Sequence, residues 1–435
     1  MVIFMTTETP AHESVSGPSS NLWANSAYLL LMSGKTTQII GAGLASFAVP
    51  LIAFAITRSV VAAGLVATVG ELGNLVATLP AGVIADRVDR RRLLFVCSVL
   101  GVAVWASLVV SQAMSILTVW QLGAVVFVSS VLGAFYQPAE SAGIQQVVPT
   151  EQLGSAMAAM EGRSAVATLI AGPVGGVLYG FSRSWPLIAS AVGYAIGGIC
   201  VALVRRPLNG DLSQAASSSP VSSLLEGLRF VMSNSFMRTG IVTFALLNLG
   251  FGGALYSLNL HLVSVHTPPL LIGLVNAVAG AVMILGAILA GPLVKRVPTG
   301  PLAIVCLLFT VAGIAGLAEA TNYTAYLIWI GVATIFLPPL NAGVIGYAVA
   351  VTPSELQGRV NSVLSLSATL VTPASPIIAG LLLLAVGVNW AITVFGVVLL
   401  LGVILLASNK SIRRIGRPDS WSADYVEWQD SRRAS

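Results

Sequence analysis

The stretch VVAAGLVATVGELGNLVATLPAGVIADRVDRRR runs from Val60 to Arg92. Up to Ile84 it is almost wholly apolar or small, with Glu71 as its single charge. A helix needs about 20 such residues to cross a bilayer's hydrocarbon core, so this segment is long enough to span. The chain then packs Asp86, Arg87, Asp89, Arg90, Arg91 and Arg92 together. Positive charge at that density holds a short loop on one face of a membrane. The same alternation of apolar run and polar loop extends over the chain. Of its 435 residues, 56% are apolar and 9% charged, against roughly 25% charged in an average soluble protein. Mean hydropathy is +0.91. A soluble fold of this length would lack the charge to cover its surface, so the sequence describes an all-α, multi-pass membrane protein.

Applied along the chain, the length rule predicts spans at 36–57, 60–84, 93–112, 116–138, 157–182 and 186–204. A second set falls at 238–264, 270–294, 301–319, 324–349, 360–384 and 388–408. The expected organisation is an N-terminal segment (1–35), a six-helix half (36–204), a linker (205–237), a second six-helix half (238–408) and a tail (409–435). With the N-terminus inside, the inner loops collect twelve basic residues and the outer loops only Arg58 and Arg183. This asymmetry places both termini in the cytoplasm. The linker is rich in Ser and Ala, then becomes amphipathic at Leu224, Leu228 and Val231, a pattern suited to a helix on the membrane surface. From Ser411 the tail is polar and expected to be disordered.

The halves repeat. Pro149, Glu151 and Gly154 recur as Pro353, Glu355 and Gly358 at an offset of 204. Ala81, Gly82 and Arg87 recur as Ala290, Gly291 and Arg296 at an offset of 209. Two related halves place a site at their interface near the membrane midplane, the plan of a secondary transporter. Other chemistries fall away. Cys97, Cys200 and Cys306 are isolated, and His12, His261 and His266 form no metal-binding pair. No phosphate-binding loop is present. An intramembrane enzyme would need a nucleophile with a base or a metal cluster, and a sensor would add a recognisable cytoplasmic domain. No cofactor, metal or nucleic acid is expected. The polar first 33 residues, with Glu8 and Glu13, do not form a cleavable signal.

The segment Gly82-Val-Ile-Ala-Asp86-Arg87-Val-Asp89-Arg90-Arg91-Arg92 resembles the loop signature of the major facilitator superfamily. Asp89 stands where the general pattern has Gly, as in its drug and siderophore exporters. Phe135-Tyr-Gln-Pro138-Ala139, Glu226-Gly-Leu-Arg229-Phe230 and Gly358-Arg359-Val360 are similar to that branch. The resemblance implies a twelve-helix fold of two halves, working as a monomer in the inner (cytoplasmic) membrane. It also implies that Asp86 meets the N-terminus of span eleven and locks an inner gate, with Arg87, Arg90 and Arg91 holding the loop. Glu140, Arg163 and Arg359 are the partners expected at that gate, Arg163 pairing with Glu140 or Asp86. Gly172-Pro173-Val-Gly175-Gly176 is similar to the superfamily's antiporter motif, and implies an outer seal favouring exchange. Small residues also serve plain helix packing.

Glu71 lies near mid-depth. An ionisable group there is functional by default: with Asn74 beside it, this carboxyl can carry a proton between faces or touch substrate. A protonated structural carboxyl is the alternative. Asn248, Asn259, Asn276, Asn341, Asn361, Gln38, Gln112, Gln121 and Gln137 are further polar candidates for a cavity wall. Trp105, Trp120, Trp329 and Trp390 read as interfacial anchors. The expected function is proton-coupled efflux of small amphipathic molecules, with narrow-substrate export or uptake on the same fold as the alternative.

Overall fold

Hydrocarbon offers the backbone no hydrogen bonds, so each span must satisfy its own as a helix. A computed structural model of the chain describes residues 22–209, 220–353 and 356–421; the side chains of Leu79, Asp86, 220–224 and Asn361 lie outside the described set. The first half comprises α1 (Ser26–Thr57), α2 (Val60–Arg87), α3 (Arg90–Ala113), α4 (Val119–Val147), α5 (Leu153–Phe181) and α6 (Trp185–Leu203). After a connecting helix α7 (Pro220–Ser233), the second half contains α8 (Ser235–Ser264), α9 (Pro269–Arg296), α10 (Thr299–Glu319), α11 (Tyr323–Thr334), α12 (Leu337–Ala350), α13 (Gln357–Leu370) and α14 (Ala374–Ser408). A single turn, α15 (Lys410–Arg413), follows.

Among the described residues, eleven helical stretches are long and apolar enough to cross a membrane. One, Gln357–Ser408, has 52 residues, more than twice what a crossing needs. Gly387 interrupts it with φ 80°, a left-handed angle that glycine adopts without penalty. Divided there, the chain crosses twelve times. The tenth crossing is broken at Ile335–Phe336, ahead of Pro338 and Pro339, which have no N–H to continue the ladder.

The halves pack alike. Spans one and six meet backbone to backbone, with the Ser190 hydroxyl donating to the Gly41 carbonyl at 2.7 Å. Spans seven and twelve meet where Gly250 and Gly253 face Phe395 and Leu399. The two halves join along α5–α9 and α2–α14.

Three sequence expectations need correction. α1 begins at Ser26, ten residues before the predicted span, capped by the Asn25 side chain on the Tyr28 N–H. Lys35 therefore lies inside the helix rather than in an N-terminal segment. The start of the tail is ordered: Ile412 and Ile415 are buried, and the Ile415 and Gly416 carbonyls accept from Gly300 and Thr299 at the start of α10. Trp421 packs edge-on against Tyr347 at 5.8 Å; residues 422–435 lie outside the described set. On α7, Gly227, Phe230 and Val231 form the buried stripe, whereas Leu228 is exposed alongside Leu225 and Met232.

Candidate functional site

Side chains at intervals of three and four residues share a helix face. On α1 this brings Lys35, Gln38, Ala42 and Ser46 into line; on α2 it aligns Ala67, Glu71 and Asn74. Both faces border a central cavity with two lobes. The larger, about 620 Å³, lies between the halves and is walled by apolar residues such as Phe47, Leu51, Leu260 and Ile272. Its polar side chains include Asn259 and Asn276, joined by a 3.3 Å hydrogen bond, with Ser46, Thr168 and Tyr256. The smaller lobe, about 380 Å³, is polar, with Lys35, Gln38, Glu71, Asn74 and Gln137 on its wall. Ile39, Ala42, Pro50, Ala67 and Tyr256 border both lobes.

Glu71 thus faces the cavity, a point that its depth in the sequence alone leaves open. It accepts a 3.4 Å hydrogen bond from the Tyr256 hydroxyl on α8, across the boundary between halves. Asn74 is one turn along the same wall. Three participants escape the sequence reading. Tyr256 belongs to the other half, and no local pattern marks it. Trp105, read as an interfacial anchor, instead lines the polar lobe and donates to the Ser129 hydroxyl at 2.9 Å. Lys35 sits over the ring of Tyr136, 4.4 Å from its centroid, and the apolar run Tyr28–Met32 just before it was the available signal.

Arg163 on α5 pairs with Glu140 on α4 at 2.8 Å, their side chains 8% and 2% exposed. Of the two partners expected for Arg163, the structure places Glu140 against it. Both belong to the first half, so the pair ties α4 to α5 and does not bridge the halves.

The Arg-rich loop is organised by Asp89. Its carboxylate caps α3 at the Arg92 N–H (2.8 Å) and accepts from the Asn209 amide (3.2 Å). A Gly at that position would lose the side-chain cap at a cost of only about a few tenths of a kcal/mol, since Gly is itself tolerated there. Arg90 donates to the Leu208 carbonyl and Arg91 to that of Ala202, which anchors the loop beside the end of α6. Arg87 is exposed, and Gly82 has open space around it. The Asp86 side chain lies outside the described residues. Arg359, at the start of α13, pairs with Glu226 of α7 at 2.5 Å.

Away from that basic loop, the halves close tightly at the opposite end of the bundle. A methyl group on Gly172 would meet the Gly273 carbonyl at 2.6 Å, and one on Gly176 would meet that of Pro269 at 2.6 Å. Gly175 instead faces Phe47 of α1. Pro173 falls between these contacts inside α5, where its missing N–H is tolerated among packed neighbours. On the other seam, Gly64 of α2 approaches the Pro376 carbonyl of α14.

Two six-helix halves around a central cavity, with a basic loop after the second span, constitute a transporter architecture. The Major Facilitator Superfamily model matches residues 31–318 and 262–430. The chain belongs to the major facilitator superfamily. That superfamily is one of membrane transporters, and the fold seen here is theirs. Macrolide efflux protein A of Streptococcus pyogenes is 26% identical over 231 residues, 53% of this chain and 55% of that one. Multidrug efflux pump Tap of Mycolicibacterium fortuitum is 28% identical over 229 residues, 48% of this chain and 53% of that one. The chain thus spans about half the length of these relatives. A crystal structure of the nucleoside transporter NupG, 12% identical, superposes with a TM-score of 0.68 over 89% of this chain and 99% of that one. At that identity the likeness concerns the superfamily fold.

Proposed function

We propose that this protein exports small amphipathic organic molecules in exchange for protons, by rocking of its two halves about the central cavity. The observation that carries the reading is Glu71, a membrane-depth carboxyl on the cavity wall bonded to Tyr256 of the opposite half. A hydrogen bond to a carboxylate is roughly twice as strong as one to its neutral form. Loading a proton on Glu71 weakens this cross-link and frees the halves to move; releasing it restores the link. The apolar lobe beside a polar one suits cargo with an apolar body and a polar end. Efflux, rather than uptake, is supported by the macrolide and multidrug efflux proteins that the chain resembles.

The basic loop and termini then face the cytoplasm across an inner membrane, and the glycine seam is the outer seal. In that orientation Asp86 latches the inner gate against the N-terminus of α13, where free N–H groups favour an anion. The unit is a monomer. The test is accumulation of fluorescent dyes and antibiotics in pump-deficient cells, comparing wild type and Glu71→Gln with and without a protonophore. Export lost under both treatments is the expected result. Export lost with the protonophore alone moves coupling away from Glu71. An unchanged accumulation across the panel overturns broad efflux in favour of a narrow substrate or uptake.

A further inference from the structure

Lys35 lies in the third turn of α1, half-buried on the cavity wall, and its surroundings leave its charge unanswered. The Glu140 carboxylate nearby is already engaged by Arg163 at 2.8 Å, and that pair is neutral as a unit. Among the described residues, no carboxylate lies within ion-pair distance of Lys35; its contact is the face of Tyr136. An ammonium partly withdrawn from water without a counter-ion carries a desolvation cost, and a ring face offsets only part of it. Lys35 also borders the polar lobe, beside the Gln38 and Gln137 side chains.

Depth separates this cation from Glu71. Lys35 lies about 33 Å of helix from the end of α1, and Glu71 about 17 Å from the adjoining start of α2. An anion at Lys35 is therefore held well away from the carboxyl that would repel it. From Lys35 the wall continues through Ile39 and Ala42 into the apolar lobe.

We propose that Lys35 is the anion-recognising residue of the cavity, and that the cargo is an acidic amphiphile. Its carboxylate completes the Lys35 ammonium in the polar lobe while its apolar body fills the larger one. This inference rests on reading the cavity as the cargo site. It predicts a preference for acids over amines, which apolar shape alone would not produce.

The test is calorimetric binding to the full chain in phosphatidylcholine nanodiscs, free of anionic lipid. The probes are 1-naphthylacetate, its neutral amide and 1-naphthylmethylamine, which share one apolar body. Wild type should bind the acid about tenfold more tightly than the amide, with the amine weakest. The acid-to-amide ratio should fall to about one in Lys35→Gln and survive in Lys35→Arg. A wild-type ratio of one or below overturns the proposal, and needs no variant to fold. A ratio that persists in Lys35→Gln overturns it equally. Protonophore-sensitive export in cells is measured alongside. Export without acid preference defeats this proposal alone; acid preference through Lys35 without export defeats the efflux reading and keeps the site.

Discussion

The two halves share a helix order and a set of contacts, yet they treat charge in opposite ways. Lys35, Glu71, Glu140 and Arg163 all lie within helices of the first half, near the cavity or beneath it. In the second half, the charged residues of the crossing helices sit at helix ends, among them Arg238, Lys295, Arg296, Glu319 and Arg359. Its contribution to the cavity is neutral: Tyr256, Asn259 and Asn276. A repeat therefore conserves packing more readily than chemistry. One half holds the charged groups of the bundle interior, and the other faces them with neutral side chains.

The largest effect expected from that contrast concerns the Glu140–Arg163 pair. Removing one partner leaves a buried charge unpaired, a change that costs about 3–5 kcal/mol. Arg163→Met should therefore lower the melting temperature of the purified protein sharply. Glu140→Gln combined with Arg163→Met should recover most of the loss. A double variant as unstable as the single one would show that packing, rather than charge, dominates there.

Next comes the seam between halves. Gly273→Ala places a methyl 2.2 Å from the Gly172 carbonyl, an overpacking of about 1–3 kcal/mol. Its neighbour in sequence type, Gly291→Ala, meets nothing within 4 Å and serves as the control. Cysteine labelling at the Arg58 end should rise for the first and stay level for the second.

Tyr256→Phe tests the single hydrogen bond that Glu71 receives from the neutral half. Its loss should destabilise the protein by about 1 kcal/mol, and in transport assays it should flatten the dependence on the proton gradient. A variant with unaltered coupling would detach Tyr256 from the exchange. The smallest effect belongs to Asn276→Ala. Its bond to Asn259 is neutral on both sides, and such bonds between membrane helices average about 0.6 kcal/mol. A melting shift as large as that of Arg163→Met would break the contrast between the halves.

The fold was legible because burial in lipid requires length and apolarity, both countable. Glu71 was legible for the same reason, as a carboxyl with no business in an apolar span. For Arg163 the sequence left Glu140 and Asp86 open as partners, and the packing of α4 on α5 sets Glu140 against it. Lys35 was missed because a rule that ends spans at charges cannot see a lysine whose ammonium rests on an aromatic ring. Tyr256 and Gly273 were missed because their significance lies in another half of the chain: nothing local distinguishes an aromatic or a glycine that meets α2 or α5 from one that meets lipid. The ordered tail was hidden by its polar composition, although Ile412, Ile415 and Trp421 were enough to dock it.

The glycine seam has a bearing on how the molecule opens. Where Gly172 and Gly273 face each other, backbone touches backbone. Dispersion of that kind forfeits a quarter to a half of its strength over a gap of roughly 0.5–1 Å. A backbone-on-backbone joint of that kind has little elastic range: a small separation at this point loses much of the contact. If the halves rock as proposed, a closure of this kind works as a snap fastener and makes the two positions discrete states.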